Sequence, residues 1–421
     1  MRGEKIQLNN NIKLNSKIQE YIKPQIIYVP LENKNGVNYK HLVKQGDYVF
    51  KGDVVAINEN IDFPLHSSVS GYAITGTKKI MNNGKKIKCI VIENDFKEKY
   101  RDKIGAKRNL SNYTKEEFIE LLKISGITGL GGSDFPTFIK YNTDKEIDYL
   151  LVNGVECEPY IGCDKAVMNN YTEELLECID SVLEIMKIKK AYIVVKETNE
   201  KSLTKLKKYI GTYPNIELRT MPDMYPAGWE RSIVEHVLNK KYENYPIEIG
   251  AIVSNVSTIY AIYEMLKYNR PLTERIITIT GTGIKKPTNV KVKIGALLSE
   301  IIENIEGYKE IKNPLFIAGG PMMGNSLPTD ELVVTKDLNC VLVIDDIEET
   351  NYPCIKCGKC TYVCPSKIYP VLIMENYNDE KKLKDLRPQK CIECGLCSYV
   401  CPSKIEVREF VRIAKGKVNK E

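Results

Sequence analysis

Two copies of one cysteine pattern near the C-terminal end constrain this chain more than any other feature. The copies are Cys354-Ile-Lys-Cys357-Gly-Lys-Cys360-Thr-Tyr-Val-Cys364-Pro365 and Cys391-Ile-Glu-Cys394-Gly-Leu-Cys397-Ser-Tyr-Val-Cys401-Pro402. Both read C-x2-C-x2-C-x3-C-P, a spacing that binds [4Fe–4S] clusters, with the fourth cysteine on a segment that points to the neighbouring cluster. The pattern therefore predicts two clusters with crossed ligands. One set is Cys354, Cys357, Cys360 and Cys401, and the other is Cys391, Cys394, Cys397 and Cys364.

Zinc and disulfide bonds are the alternative uses of so many cysteines. Structural zinc sites use separated cysteine pairs and need neither a third cysteine nor a proline. Disulfides are rare in the cytosol, where the chain is expected, since its start lacks the apolar segment of a signal peptide. No apolar run approaches the ~20 residues of a membrane span, so we expect a cytoplasmic protein, at most peripheral to a membrane. The clusters then indicate single-electron transfer.

Composition excludes several function classes. The chain has 421 residues, 61 basic and 55 acidic, and a net charge of +6, which is too mild and too scattered for a nucleic-acid footprint. An RNA-binding iron–sulfur protein would need a basic stripe with stacking aromatics, and the tyrosines are scattered instead. Only three histidines are present, which argues against a histidine metal site or a histidine-based triad. We expect no nucleic-acid partner.

The chain divides into four predicted modules, which together make a multidomain α/β + β protein. Residues 1–110 read as short strands with two Gly-Asp turns, and they resemble the flattened barrel of biotinyl and lipoyl carriers without the carrier lysine at the hairpin tip. Strands alternate with helices over 111–270, which predicts an α/β domain with a largely parallel sheet; Ser111 opens the capping stretch of its first helix. Residues 271–345 return to strands with one helix, and 346–421 carry the cysteine motifs on short helices.

Polar and glycine-rich segments fall in predicted loops of the α/β domain. Gly126–Thr137 is glycine-dense, which lets backbone N–H groups approach a phosphate; a tight structural turn is the alternative. It follows a helix and not a strand, so it is not a standard dinucleotide fingerprint. Asn153–Pro159 lies at the end of a strand, where α/β sheets place ligands, although its two carboxylates are equally compatible with surface acids. Tyr225–Glu230 and Ser254–Thr258 are cap or turn candidates when taken alone.

Together and in this order, these segments resemble the RnfC family, which comprises the C subunit of the Rnf ferredoxin:NAD+ oxidoreductase and an RnfC-like carrier associated with proline reductase. The α/β part is similar to the flavin- and NADH-binding subunit of respiratory complex I. The resemblance covers about residues 25–415, and it implies a barrel-sandwich-like module, an FMN/NADH-binding α/β domain, a β-grasp (SLBB-like) module that carries Gly319–Gly324, and a ferredoxin-like domain with two clusters.

The resemblance also implies which residues bind cofactors. The residues expected to hold FMN are Gly129, Gly131, Gly132, Lys140, Asn153, Glu156, Asn255 and Thr258. Those expected to face the nicotinamide nucleotide are Phe135, Glu158, Tyr225, Gly228 and Glu230. No side chain is expected to act as a catalytic acid or base, because the cofactors carry the chemistry.

The expected function is electron transfer between NAD(H) and a protein redox partner through FMN and two [4Fe–4S] clusters. The partner would be a ferredoxin, the membrane subunits of an Rnf complex, or a soluble reductase such as proline reductase. The alternative is a cluster-only electron wire without its own NADH site. The pair Trp229-Glu230, where the complex I family has two glutamates, favours that alternative.

Overall fold

The computed structural model describes residues 2–7, 12, 14, 16–101, 104–110, 112–346 and 350–418. Within these ranges no helix has the length and apolar character needed to cross a lipid bilayer. Ser111, which opens the predicted capping stretch, lies outside the described residues. The first helix is nevertheless capped, because the Thr114 side chain accepts the N–H of Glu117 and the Glu117 carboxylate accepts the N–H of Thr114.

The N-terminal part forms the expected barrel-like sandwich of two antiparallel sheets. Its strands are β1 (Ile18–Tyr21), β2 (Ile26–Pro30), β3 (Lys40–His41), β4 (Tyr48–Val49), β5 (Val54–Asn58), β6 (Phe63–His66), β7 (Gly71–Ile80) and β8 (Lys86–Asn94). The sheets have the orders β2-β8-β7-β4 and β3-β5-β6, and alternate side chains of β2 and β8 enter the core between them. Strand β1 leaves this module and pairs elsewhere.

The two Gly-Asp turns are built alike. Gly46 and Gly52 have φ values of +92° and +87°, which glycine adopts without steric cost. In each turn the aspartate accepts a backbone N–H three residues back: Asp47 from Lys44 at 2.7 Å and Asp53 from Phe50 at 3.0 Å. The repeated sequence therefore encodes one repeated turn.

The α/β domain has a four-stranded parallel sheet of order β11-β10-β9-β12. Its elements are α1 (Lys115–Ile124), α2 (Thr137–Tyr141), β9 (Tyr149–Gly154), α3 (Cys163–Asn170), α4 (Thr172–Met186), β10 (Lys190–Lys196), α5 (Glu200–Tyr209), β11 (Ile216–Met221), α6 (Glu230–Leu238), β12 (Ala251–Asn255) and α7 (Val256–Tyr268). Leu150, Leu151 and Val152 of β9 are fully buried, as a strand with both faces covered requires. The predicted apolar stripe of α4 lies in the core, whereas the short helices α2 and α3 were not expected.

The third module is a six-stranded mixed sheet with one helix packed on it. Its elements are β13 (Glu274–Thr280), β14 (Thr288–Lys293), α8 (Leu298–Asn304), β15 (Pro314–Ala318), β16 (Asn325–Leu327) and β17 (Cys340–Asp345). The strand order is β1-β14-β13-β17-β15-β16, so β1 forms an edge of this sheet, parallel to β14. The start of the chain therefore completes a sheet made mainly from residues 274–345.

The C-terminal module consists of short helices around the cysteine motifs. They are α9 (Lys359–Val363), α10 (Pro370–Glu375), α11 (Glu380–Leu386), α12 (Leu396–Tyr399) and α13 (Val407–Val418). The two motif copies share their backbone: Gly358 and Gly395, at equivalent positions, have φ values of +73° and +80° and begin α9 and α12. The internal repeat in the sequence is therefore also a repeat of structure.

Candidate cofactor cleft and cysteine cavities

One large cleft lies at the carboxyl ends of β9 and β12 and encloses about 1730 Å³ of space. That exceeds the ~300–1,000 Å³ of a typical single-ligand pocket, so it has room for more than one ligand. All four modules line it. The lining includes Lys34, Asn82 and Asn83 from the barrel, Gly131–Ser133, Asn153, Glu156–Glu158, Asp164, Tyr225 and Gly228–Glu230 from the α/β domain, Ala318–Gly320, Met323–Asn325, Asp337 and Asn339 from the third module, and Ile392 from the last.

The glycine-rich loop forms one wall of the cleft and presents donors to it. The backbone N–H groups of Gly131, Gly132 and Ser133 have no hydrogen-bond acceptor among the described residues. Gly132 has a φ of +105° and open space where a side chain would start. Consecutive free N–H groups in such a turn form an anion-binding nest. The loop therefore fits the phosphate group of a cofactor.

Asn255 and Thr258 lie beneath this loop and hold it. The Thr258 hydroxyl accepts the N–H of Leu130 at 2.9 Å. A Cβ on Gly131 would lie 3.1–3.3 Å from the Asn255 side chain, so only glycine packs here without displacing it. Gly129 closes the turn, since its N–H donates to the Phe135 carbonyl at 2.8 Å. None of Gly129, Asn255 and Thr258 is among the residues that line the cleft.

Asn153 fixes the opposite wall. Its Nδ2 donates to the Gly228 carbonyl at 3.0 Å, and its Oδ1 accepts the N–H of Val155 at 3.1 Å. The N–H of Gly228 in turn donates to Cys157 Sγ at 3.3 Å, and a Cβ at Gly228 would lie 3.1 Å from that sulfur. The segments around Asn153 and Gly228, which are far apart in sequence, thus form one surface of the cleft.

Glu156 caps the unexpected helix α3. Its two carboxylate oxygens accept the N–H groups of Asp164 and Lys165 at 2.8 and 3.1 Å. Asp164 is held beside it by Asn255 Nδ2 at 2.6 Å and by the Ser257 hydroxyl at 2.7 Å. Burial, followed by the neighbouring Asp164 charge, raises the pKa of Glu156 to about 7. The carboxyl is therefore already engaged with the protein at neutral pH.

Glu158 connects the cleft to the third module. Its Oε1 accepts the N–H groups of Met322 and Met323 at 2.6 and 3.0 Å, and Gly320 has no room for a side chain beside it. Arg408 of the last module donates to the Met322 carbonyl at 2.7 Å. Burial raises the pKa of Glu158 to about 7, although the two N–H groups partly offset it. A single carboxylate thus ties the cleft to the Gly319–Gly324 loop.

We expect Glu158→Gln to stabilise the protein more at pH 8 than at pH 4.5. A glutamate whose pKa rises from 4.5 to about 7 on folding costs stability that is absent below the unfolded pKa and complete above the folded one. Glutamine is never charged and keeps the oxygen that accepts both N–H groups. The measurement is the thermal midpoint at the two pH values.

Glu217→Gln is the matched control, because Lys190 lowers the pKa of Glu217. That substitution should therefore be more harmful at pH 8 than at low pH, by a small amount for so exposed a pair. An equal shift at both pH values in Glu158→Gln would contradict the assignment.

Tyr225 brings the cleft into contact with the cysteine domain. Its hydroxyl donates to the Cys394 carbonyl at 2.7 Å, and its ring packs in a small apolar cluster with Met322, Val363 and Leu396. Burial raises the pKa of Tyr225 far above its usual range, so the hydroxyl stays protonated. The residue that forms one end of the cleft therefore also touches the backbone of a predicted cluster ligand.

Lys140, Glu230 and Phe135 complete the set predicted from the sequence. Lys140 Nζ donates to the Val253 carbonyl at 2.9 Å and lies 3.3 Å from the Glu230 carboxylate, which lines the cleft. Phe135 is exposed, and neither it nor Lys140 is among the residues lining the cleft. Most predicted residues are thus brought together, but Gly129, Phe135, Lys140, Asn255 and Thr258 support or flank the cleft and do not line it.

The cysteines form two groups. Cys354, Cys357, Cys360 and Cys401 line one cavity of about 360 Å³, together with Val371 and Met374. In the other group, burial raises the pKa of Cys394 to about 12, and the nearby thiols of Cys391 and Cys364 contribute to the rise. Each group joins three cysteines of one motif to the fourth of the other. Four thiols around one cavity are a donor set that fits a [4Fe–4S] cluster.

Sequence reasoning did not anticipate the residues that the barrel and third module contribute. Lys34, Asn82, Asn83 and Asp337 line the cleft, yet each lies in a turn or loop with no motif around it. Asp164 was missed because α3 was not predicted. Only the glycines of Gly319–Gly324 gave a usable signal.

Comparisons with known families place three domains along the chain. The profile described as the Nuo51 FMN-binding domain matches residues 122–264. The RnfC barrel sandwich hybrid domain matches residues 2–97, and a 4Fe-4S dicluster domain matches residues 353–405. The predicted barrel module, FMN-binding α/β domain and two-cluster domain are therefore confirmed, and with them FMN and two [4Fe–4S] clusters as the cofactors.

Several curated relatives align with most of the chain, and each is the C subunit of a redox complex. That of the Na+-translocating ferredoxin:NAD+ oxidoreductase complex of Acetobacterium woodii is 30% identical over 361 residues, which cover 84% of this chain and 81% of the relative. Its proton-translocating counterpart from Clostridium ljungdahlii is 28% identical, with 83% and 78% covered. The relative from the ion-translocating oxidoreductase complex of Pasteurella multocida is 31% identical and covers 82% of this chain, but this chain spans only 42% of that longer protein.

A solved structure shares the fold. A chain of an NAD+-reducing [NiFe]-hydrogenase in the air-oxidised state superposes with a TM-score of 0.54 at 13% sequence identity, covering 74% of this chain and 67% of its own. At that identity the likeness concerns the fold alone.

Proposed function

The chain belongs to the RnfC family, and on that premise we propose that it transfers electrons between NAD(H) and a redox protein through FMN and two [4Fe–4S] clusters. The observation that carries the proposal is the contact between the two candidate sites. Tyr225, at the end of the cofactor cleft, donates a hydrogen bond to the carbonyl of Cys394. Electrons released in the cleft therefore have a short route to the cluster held by the second cysteine group.

The proposed FMN site is the wall of the cleft that carries the anion-binding nest. Gly131 and Gly132 would receive the phosphate, while Gly129, Asn255 and Thr258 hold the loop in place. Asn153 and Glu156 line the facing wall, and Lys140 supports Glu230 from behind. FMN exchanges a hydride with nicotinamide and passes electrons on singly, which one-electron clusters require.

The proposed nicotinamide site is the other end of the same cleft. Glu158, Tyr225, Gly228 and Glu230 line it, and the exposed ring of Phe135 lies on the neighbouring loop. Glu158 and Tyr225 are already engaged in hydrogen bonds with the third and fourth modules, so their role in our proposal is to shape this end of the cleft. No described side chain here is placed as a proton donor or acceptor for the reaction.

We propose that the first cysteine group faces the protein partner. Cys357 is exposed, and Tyr362 beside it is 81% exposed. Cys394, by contrast, is buried against the cleft. The order would therefore be nucleotide, FMN, the Cys391–Cys394–Cys397–Cys364 cluster, the Cys354–Cys357–Cys360–Cys401 cluster and then the partner, or the reverse.

Finer assignments are part of the same proposal. The sheet of residues 274–345 would be the β-grasp, SLBB-like module of the family, and the boundaries at 110, 270 and 345 remain predictions. We place the protein at the cytoplasmic face of a membrane as a peripheral subunit, since the relatives are named as subunits of ion-translocating complexes. Affinity capture from native cells would identify the partner as membrane subunits, a ferredoxin or a soluble reductase.

We expect NADH to bleach the flavin absorbance of the FMN-loaded protein under anaerobic conditions, with the broad cluster absorbance decreasing afterwards. The reason is the order of carriers above: the hydride enters in the cleft, and single electrons then reach the clusters. Stopped-flow absorbance at flavin and cluster wavelengths measures both phases. A protein that binds FMN but does not react with NADH would instead be a cluster wire, the function that Trp229-Glu230 favours.

A further inference from the structure

We propose that Lys34, on a turn of the N-terminal barrel, supplies the positive charge that binds a phosphate group of the cofactor in the cleft. The ligand chemistry is a phosphate monoester or pyrophosphate, from FMN or from the nicotinamide nucleotide. The inference rests on the proposed function, and it gives the barrel a direct role in cofactor binding.

The charge balance of the cleft is the first argument. Among the described residues that line it, five are carboxylates: Glu156, Glu158, Asp164, Glu230 and Asp337. Lys34 is the one cation in that described lining. Both cofactors bring phosphate charge into this space, and charge-assisted hydrogen bonds are the strongest available to hold it. The phosphate therefore has one cationic partner within reach.

The position of Lys34 beside the anion-binding nest is the second argument. Its ammonium donates to the carbonyl of Gly132, the central residue of the three whose N–H groups have no acceptor among the described residues. The ammonium and the nest therefore lie at the same wall of the cleft. Backbone N–H groups together with a lysine form a recurrent way of holding phosphate oxygens.

Lys34 also keeps donors available. An ammonium has three N–H donors, and the Gly132 carbonyl uses one. The nearest Asp337 oxygen is 3.6 Å away, beyond the usual 2.7–3.2 Å of a hydrogen bond. Asp337 is instead bonded by the Asn82 amide and by the Thr335 hydroxyl. The side chain of Lys34 is 25% exposed, so a ligand can reach it.

The backbone around Lys34 is held in place. Asn33 Oδ1 accepts the N–H groups of Asn35 and Val37, both at 3.0 Å, and Gly36 has a φ of +79°. The turn therefore presents Lys34 at a defined position toward the α/β domain, which is what a ligand-binding side chain requires.

The test compares Lys34→Met and Lys34→Arg with Lys44→Met, an exposed lysine of the same barrel that does not line the cleft. Flavin-depleted protein with its clusters retained is titrated with FMN and with riboflavin, which lacks the phosphate, and flavin fluorescence is followed. Lys34→Met should bind FMN about tenfold more weakly with riboflavin binding unchanged. Lys34→Arg should retain most of the FMN affinity.

A second arm distinguishes the source of the phosphate. If Lys34→Met leaves FMN binding unchanged but raises the KM for NADH about tenfold with kcat unchanged, the partner is the nicotinamide nucleotide. The inference is overturned if Lys34→Met behaves like Lys44→Met toward both cofactors. It is also overturned if FMN and riboflavin weaken equally, because the residue then serves the fold alone.

Two controls keep the result interpretable. Iron content and thermal midpoint should match the wild type; if Lys34→Met lowers the midpoint, Lys34→Gln replaces it, since glutamine retains a donor for the Gly132 carbonyl. A wild-type protein that binds no FMN would contradict the proposed function itself. That outcome is separate from one in which the wild type binds FMN and the variants bind it equally well.

Discussion

Replacing Cys401 with serine should destroy the cluster whose other three ligands are Cys354, Cys357 and Cys360, although Cys401 belongs to the other motif copy. These four cysteines line one cavity. A serine oxygen is a poorer ligand for iron than a thiolate. Iron content should therefore fall from about eight to about four per chain, and Cys364→Ser should produce the converse loss.

Electron paramagnetic resonance of the reduced variants checks this result. Cys357→Ser and Cys394→Ser serve as reference losses, one for each cluster. Cys401→Ser should leave the same residual signal as Cys357→Ser. If its residual signal matches that of Cys394→Ser, each motif binds its own cluster and the crossed arrangement is wrong.

The two losses should also differ in function. The Cys391 group contacts the cleft through Tyr225, whereas the Cys354 group opens to the surface. Cys401→Ser should therefore still allow NADH to reduce the flavin and the remaining cluster, but electron delivery to an external acceptor protein should fall strongly. Cys364→Ser should interrupt transfer at the flavin.

Gly131→Val should lower FMN affinity about 100-fold or more while leaving the iron content intact. The Cβ alone would lie 3.1–3.3 Å from the Asn255 side chain, and the two methyl groups would add crowding that costs about 1–3 kcal/mol. The loop would then move away from the position in which its N–H groups face the cleft. Titration with FMN, followed by fluorescence, measures the loss.

Gly211→Val is the matched control, because nothing lies within 4 Å of the Cβ position at Gly211 and the residue does not line the cleft. Its FMN affinity should equal that of the wild type. Gly132→Ala tests a different cause, since the left-handed φ of +105° belongs to Gly132. Full FMN occupancy in Gly131→Val would remove the loop from the site.

The parts of this protein that could be read from sequence are those encoded by short-range patterns. The cysteine spacing fixes which sulfur atoms can share a cluster, because the chain between Cys354 and Cys364 is too short to arrange them in many ways. The stripe of α4 follows from the 3.6-residue period of a helix. The Gly-Asp turns follow from the backbone freedom of glycine.

The parts that sequence reasoning missed depend on contacts between distant segments. Lys34 lies in an unremarkable turn and becomes part of the cleft only because the barrel packs against the Gly132 loop. Asn255 and Thr258 were expected to touch FMN, yet they support the loop from beneath. Glu158 was expected to face the nucleotide, and its partners Met322 and Met323 could be found only once the third module was placed.

The pairing of β1 with β14 has a consequence for the order in which the protein folds during synthesis. Ile18 is among the first residues to leave the ribosome, and its partner Asn289 follows only after the whole barrel and α/β domain have been made. At about 5–20 residues per second that delay is on the order of tens of seconds. The barrel strands, by contrast, all find their partners within residues 26–94. A nascent chain therefore carries an unpaired leading strand past two folded domains, and a fragment that ends before Thr288 leaves that strand without its partner.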